Sequence, residues 1–147
     1  MKVFIGRQSK ENGIKEPPCK YCCLMSYWEC RKTRIDVSRY LDFILDSGVF
    51  TLVYGAGGKV DAWDYAKKYA RYVNECGIQN YVELDLDKIA GYEEVKKLRA
   101  YLKAETGRDP IPVWHISRGI DEFKRMCSEY EYASIGGLRQ EIGKKRL

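Results

Sequence analysis

The chain has 147 residues, 26 Lys and Arg against 21 Asp and Glu, and a net charge of +5. That length suits one domain with a substantial core, and the excess of positive charge is compatible with a polyanionic partner without requiring one. No apolar run reaches the roughly 18 residues that a membrane span needs, and the apolar part of Met1–Arg7 is too short for a signal peptide, so a cytoplasmic protein with no membrane partner is expected.

Taken in order, Lys2–Gly6 reads as a first strand that ends in glycine. Arg7–Pro18 is a polar loop broken by Asn12-Gly13 and Pro17-Pro18. A second strand is expected near Cys22–Trp28, followed by a polar connection at Glu29–Arg34. Asp36 is placed to cap a short helical turn carrying Val37, Tyr40 and Leu41. Phe43–Asp46 is a short buried strand that stops on Asp46-Ser47-Gly48. Leu52–Val60 holds Gly55, Gly57 and Gly58, without the spacing of a dinucleotide or P-loop fingerprint, and reads as a lid-like loop. Asp61 caps a helix whose Ala62, Tyr65, Ala66, Tyr69, Val73 and Cys76 share a face, with Gly77 as its stop. Tyr81–Asp87 alternates, with Val82, Leu84 and Leu86 on one face and Glu83, Asp85 and Asp87 on the other. Such an acidic face meets either solvent or a pocket that uses it. Tyr92–Glu105 is a second helix, Ile111–His115 a strand, Ile120–Tyr130 a third helix with Phe123, Met126, Cys127 and Tyr130 on one side, and Tyr132–Gly136 a last strand before a basic end.

Cys19, Cys22, Cys23 and Cys30 form a cluster in which Cys19-x-x-Cys22 has zinc-knuckle spacing. A zinc site wants a second tight pair, and only Cys30 follows. Buried structural thiols are therefore the favoured reading, and no cofactor is expected.

Strands alternating with helices across short loops imply parallel pairing and right-handed crossovers, hence an α/β fold. Asp46-Ser47-Gly48, Asp85, His115 and Gly136-Gly137 all fall at the C-terminal ends of predicted strands, which in a parallel barrel converge at one rim. The bland alternatives stay open: Asp46 as a turn cap, and His115, the one histidine, as a partner of a core group.

The order of these motifs resembles the tRNA-guanine transglycosylase superfamily, which includes queuine tRNA-ribosyltransferases and phage and bacterial relatives acting on 7-deazaguanine bases. Leu45-Asp46-Ser47-Gly48-Val49-Phe50 is similar to that family's Asp-Ser-Gly-Gly-Phe motif, with Val49 in place of the second glycine. Leu84-Asp85 resembles the strand whose Asp reads the purine edge. Val113-Trp114-His115 falls where the family has Val-Gln-Gly. Ala133-Ser134-Ile135-Gly136-Gly137-Leu138 is similar to Ala-Ile-Gly-Gly-Leu. The resemblance implies a parallel (β/α) TIM-barrel-like domain over residues 1–147 with about six of eight strands present. It also implies that the chain is incomplete at its C-terminus, or that a partner chain or second copy completes the barrel. The family's Asp nucleophile and zinc cluster lie beyond the Gly-Gly-Leu motif.

By resemblance, Asp46 is the general acid/base of a base exchange on guanine or a 7-deazaguanine in tRNA or DNA. Ser47, Gly48, Asp85, His115, Gly136 and Gly137 then contact the base. The alternatives are a non-catalytic relative that binds purines or nucleic acid, and a small-molecule lyase or hydrolase on a partial barrel.

Overall fold

The computed structural model describes residues 2–7, 19–55 and 61–137. It is an α/β structure in two compact units, Met1–Pro110 and Ile111–Leu147.

In the first unit, β1 (Phe4–Arg7), β2 (Cys22–Ser26), β3 (Asp42–Asp46) and β4 (Asn80–Tyr81) form one parallel sheet in the order β1-β2-β3-β4. The register pairs Cys23 with Phe43, Leu24 with Ile44, Ser26 with Asp46, and Leu45 with Tyr81. Side chains alternate across the sheet, so Cys23, Phe43, Leu45 and Tyr81 share a face and all are buried. Phe4, Cys22, Leu24, Ile44 and Asp46 take the other face and are half-buried.

The buried face packs on helix α3 (Ala62–Glu75), which presents Tyr65, Ala66, Tyr69, Ala70, Tyr72 and Val73 to it. Asp61 caps this helix as its sequence predicts, accepting from the backbone N–H groups of Trp63 and Asp64. Gly77 ends it in the left-handed region at φ +65. Helix α5 (Tyr92–Thr106) buries Val95, Leu98 and Leu102 and stops at Gly107, φ +69. Asp36 caps a 3-10 turn, Val37–Arg39, through the N–H of Ser38.

The structure departs from the sequence expectations in three places here. Strand β2 ends at Ser26, and Tyr27–Cys30 is a short helix, α1. Tyr27 turns inward to meet the rings of Tyr65, Tyr69 and Tyr72 at 5.1–5.3 Å. Val49–Gly55 is helix α2, so the expected loop from Leu52 begins as a helix, and Gly57 and Gly58 lie outside the described residues. Cys22 and Cys23 sit on opposite faces of β2, Cys19 is exposed and Cys30 is buried, which does not gather them on one ion. Among the described residues no three His, Cys, Asp or Glu side chains are placed to hold a metal.

The third departure is Tyr81–Asp87. Only Asn80–Tyr81 is strand, Val82 adds a single bridge, and the chain then turns, with the Leu86 N–H donating to Leu84 O at 2.9 Å. Asp87 opens a short helix, α4 (Asp87–Ala90). Val82, Leu84 and Leu86 are buried as alternation predicts, but so is Glu83, fully, where its carboxylate accepts from Arg99 Nε of α5 at 2.6 Å. The expected acidic face of Glu83, Asp85 and Asp87 is therefore split, because the buried carboxylate needs a cation and the helix supplies one.

In the second unit, β5 (Val113–Trp114) and β6 (Ser134–Ile135) pair in parallel across α6 (Ile120–Glu129). Trp114 Nε1 donates to Gly119 O at 2.9 Å and its ring meets Phe123 at 5.0 Å. Both strands are shorter than expected. Of the expected inner face of α6, Met126 is buried and Cys127 is exposed. The basic segment after Gly137 lies outside the described residues.

Arg99→Met leaves Glu83 charged and buried without this partner. It should destabilise the fold by about 3–5 kcal/mol, read as a lowered urea midpoint. A loss below ~1 kcal/mol would show that the pair is not the main support of Glu83.

Candidate functional site

The sequence-predicted residues fall into two groups, one in each unit. Asp46, Ser47, Gly48 and Asp85 belong to the first unit, and His115, Gly136 and Gly137 to the second.

Strand β3 delivers Asp46 to its C-terminal end on the half-buried face, beside Ser26 at the end of β2. The Gly48 N–H donates to Asp46 Oδ2 at 2.9 Å, closing the Asx-type turn that carboxylates favour. Burial pushes the Asp46 carboxyl above its ordinary value of 3.8, the Gly48 N–H opposes this, and the nearby Asp85 carboxylate raises it further. A carboxyl so placed holds its proton more readily than a solvated one, as a group that must both give and take a proton needs to.

Two tyrosines of α3 hold this strand end from behind, and a third holds the turn after α1. The Tyr65 hydroxyl donates to Ser47 O at 2.7 Å, and the Tyr69 hydroxyl is shared between Val82 O at 2.9 Å and Leu45 O at 3.1 Å. The Tyr72 hydroxyl donates to Thr33 O at 2.8 Å and Cys30 O at 3.2 Å. Ser47 itself is buried.

Gly48 is required twice over. Its φ is +68, and a Cβ there would lie 2.6 Å from Ser26 Oγ and 2.7 Å from both the backbone N and Cβ of Trp28. The ends of β2 and β3 thus touch through a residue with no side chain. Ser26 Oγ is buried and makes no hydrogen bond among the described residues, beside the Asp46 turn. Sequence reasoning missed Ser26, Trp28 and the three tyrosines. The available signal was that Ser26 ends β2 as Asp46 ends β3.

In the second unit, His115 follows β5 and is buried. A Cβ on Gly136 would lie 2.8 Å from His115 Cε1 and 2.6 Å from Val113 Cγ1, and one on Gly137 2.8 Å from His115 Nδ1. Gly137 also has φ +73. The paired glycines are therefore the bed on which the imidazole lies, and the Gly136 N–H donates to Trp114 O at 2.8 Å. In this unit the motif has a packing reason of its own.

Gly48→Ala should destabilise the first unit by about 2 kcal/mol or more, since strain at positive φ adds to the clash. Ser26→Ala relieves only the hydroxyl contact and should recover a minor part of that loss in the double variant, measured by chemical denaturation. A neutral Gly48→Ala would show that the β2 and β3 ends are not so closely packed.

The raised Asp46 carboxyl fixes a sign. Its stabilising contribution is fully present below 3.8 and is lost as pH rises through the folded value. Asp46→Asn, which keeps an acceptor for the Gly48 N–H, should melt at or above the parent temperature at neutral pH. The difference should shrink as acid protonates the parent, and a large pH-independent loss would make the carboxylate purely structural.

Compared with known proteins, the chain matches no family model, no curated protein and no solved structure.

Proposed function

We propose that this protein is a transglycosylase-like enzyme acting on guanine or a 7-deazaguanine in tRNA or DNA, with Asp46 as the general acid/base of base exchange. The observation that carries the reading is the Asp46 carboxyl: half-buried at the C-terminal end of a parallel strand, raised in pKa, and oriented by the Gly48 N–H. Asp85, which lies close enough to Asp46 to act on its charge, suits the ring and exocyclic N–H donors of a purine edge, which need paired acceptors. Ser47 and Gly48 are the other contacts assigned to the base in this unit.

The reading takes β1–β4 as part of the wall of a (β/α) barrel. The order β1-β2-β3-β4 supports it. Right-handed crossovers between strands added in one direction all fall on one face, as in a barrel. A doubly wound sheet instead reverses its order at a switch point.

A second reading is favoured by the same Asp46–Gly48 turn. A carboxylate oxygen already committed to a backbone N–H can accept from a bound base without moving a proton. The protein is then a non-catalytic relative that binds a purine or 7-deazapurine base.

Exchange of labelled guanine or 7-deazaguanine into tRNA and into DNA tests the first reading. Asp46→Asn should lose at least about a hundredfold in rate while keeping the parent's far-UV circular dichroism. Full activity in that variant removes Asp46 from the mechanism. Calorimetric binding of either base without turnover supports the second reading, and absence of binding overturns both.

A further inference from the structure

A cavity of about 370 Å³ in the first unit lies apart from the residues assigned to base exchange. It is lined by Arg31, Lys32, Thr33, Arg34, Tyr72, Glu75 and Cys76. We propose that it binds a nucleoside phosphate, with the phosphate on Arg31, Lys32 and Arg34 and the nucleoside's hydroxyl or amine donors on Glu75.

The cations come first. Three of four consecutive residues are Arg or Lys, and among the described residues none of the three makes an ion pair. Like charges crowded in one turn repel one another, and an anion among them relieves this. Arg31 is not left to wander. Its guanidinium carbon lies 3.4 Å from the centre of the Trp28 ring. A guanidinium laid flat on an aromatic keeps its edge N–H donors for a second partner, and that planar fork suits phosphate oxygens.

The walls are fixed as well. The Tyr72 hydroxyl ties Cys30 O and Thr33 O together from α3. The Thr33 N–H and hydroxyl both donate to Cys30 O, at 2.9 and 3.1 Å. The turn that carries the cations is thus bonded to itself and to the helix behind it, so little ordering remains for a ligand to impose.

One lining residue has the opposite character. Glu75 is the last residue of α3 and also makes no ion pair. It stands where the helix carbonyl ends add negative potential, and this side calls for hydrogen-bond donors. An occupant that matches both kinds of group carries an anion and hydrogen-bond donors. A nucleoside phosphate does, and the volume lies within the roughly 300–1,000 Å³ of small-molecule sites.

The test uses the full chain in titration calorimetry with uridine 5′-monophosphate, uridine and inorganic phosphate. A pyrimidine probe lacks the purine edge assigned to Asp85, so the two sites are read separately. Uridine 5′-monophosphate should bind more tightly than either fragment. The double variant Lys32→Gln with Arg34→Gln alters two exposed residues, so folding is retained, and should weaken that binding about tenfold or more. Glu75→Gln should narrow the preference for the nucleotide over inorganic phosphate. The proposal is overturned if the nucleotide does not bind, if the double variant binds it as the parent does, or if inorganic phosphate binds equally well. It is also overturned if a single-stranded oligonucleotide binds through Lys32 and Arg34 while the mononucleotide does not.

Discussion

The first unit depends on tyrosine hydroxyls that reach through its core to backbone carbonyls. Tyr65, Tyr69 and Tyr72 of α3 bond to Ser47 O, to Leu45 O with Val82 O, and to Cys30 O with Thr33 O. A phenol is large enough to fill space between helix and sheet, and its hydroxyl satisfies a carbonyl that burial would otherwise leave costly. Tyr69 is fully buried, and burial holds its hydroxyl proton firmly, well above the ordinary tyrosine value. The phenol therefore stays protonated and keeps an O–H to donate to these carbonyls. One helix face thereby sets the position of three chain segments, the end of β3 among them, so the Asp46 turn is built on packing rather than on loop chemistry.

The same demand for satisfaction separates two carboxylates, one ending β3 and one just beyond the neighbouring strand β4. Glu83 enters the interior and takes Arg99 as its partner, while Asp46 stays at the half-buried face and takes a backbone N–H. Pairing with a guanidinium makes a carboxylate a fixed anion. A single amide bond under partial burial leaves a carboxyl able to change its protonation. Asp46 thus keeps a carboxyl that can exchange its proton, while Glu83 ties the chain after β4 to α5.

Much of this was legible in the sequence, for identifiable reasons. Helix α3 announces itself through Asp61, a period of three and four, and Gly77, each a local rule acting on adjacent residues. Helix α5 does the same through Val95, Leu98, Leu102 and Gly107. The β3 strand and its stop at Asp46-Ser47-Gly48 were readable because an apolar run broke on turn-forming residues. What failed was decided at a distance. Alternation in Tyr81–Asp87 predicts a longer strand, but the bond from Arg99 to Glu83 and the turn at Leu84–Leu86 override it. Tyr27-Trp28 reads as strand because both are aromatic, yet Tyr27 is drawn into the rings of α3. The need for Gly48 to admit Trp28 and Ser26 is likewise invisible until β2 and β3 are set side by side.

The two faces of the sheet carry the last step. Strands added in one direction send their crossovers to one side, and that side holds Cys23, Phe43, Leu45 and Tyr81 under α3. The opposite face keeps Phe4, Leu24 and Ile44 half-buried, with Asp46 at its C-terminal edge. Parallel sheets are normally covered on both faces. In a barrel that second face is the interior, filled by side chains up to the rim where ligands bind. On this face Asp42 and Asn80 start their strands, Ser26 and Asp46 end theirs, and Leu24 and Ile44 lie between, so polar groups stand where the apolar filling of such an interior would stop. The one-directional strand order and the place of Asp46 on that face thus bear on the same reading from independent features, topology and side-chain chemistry.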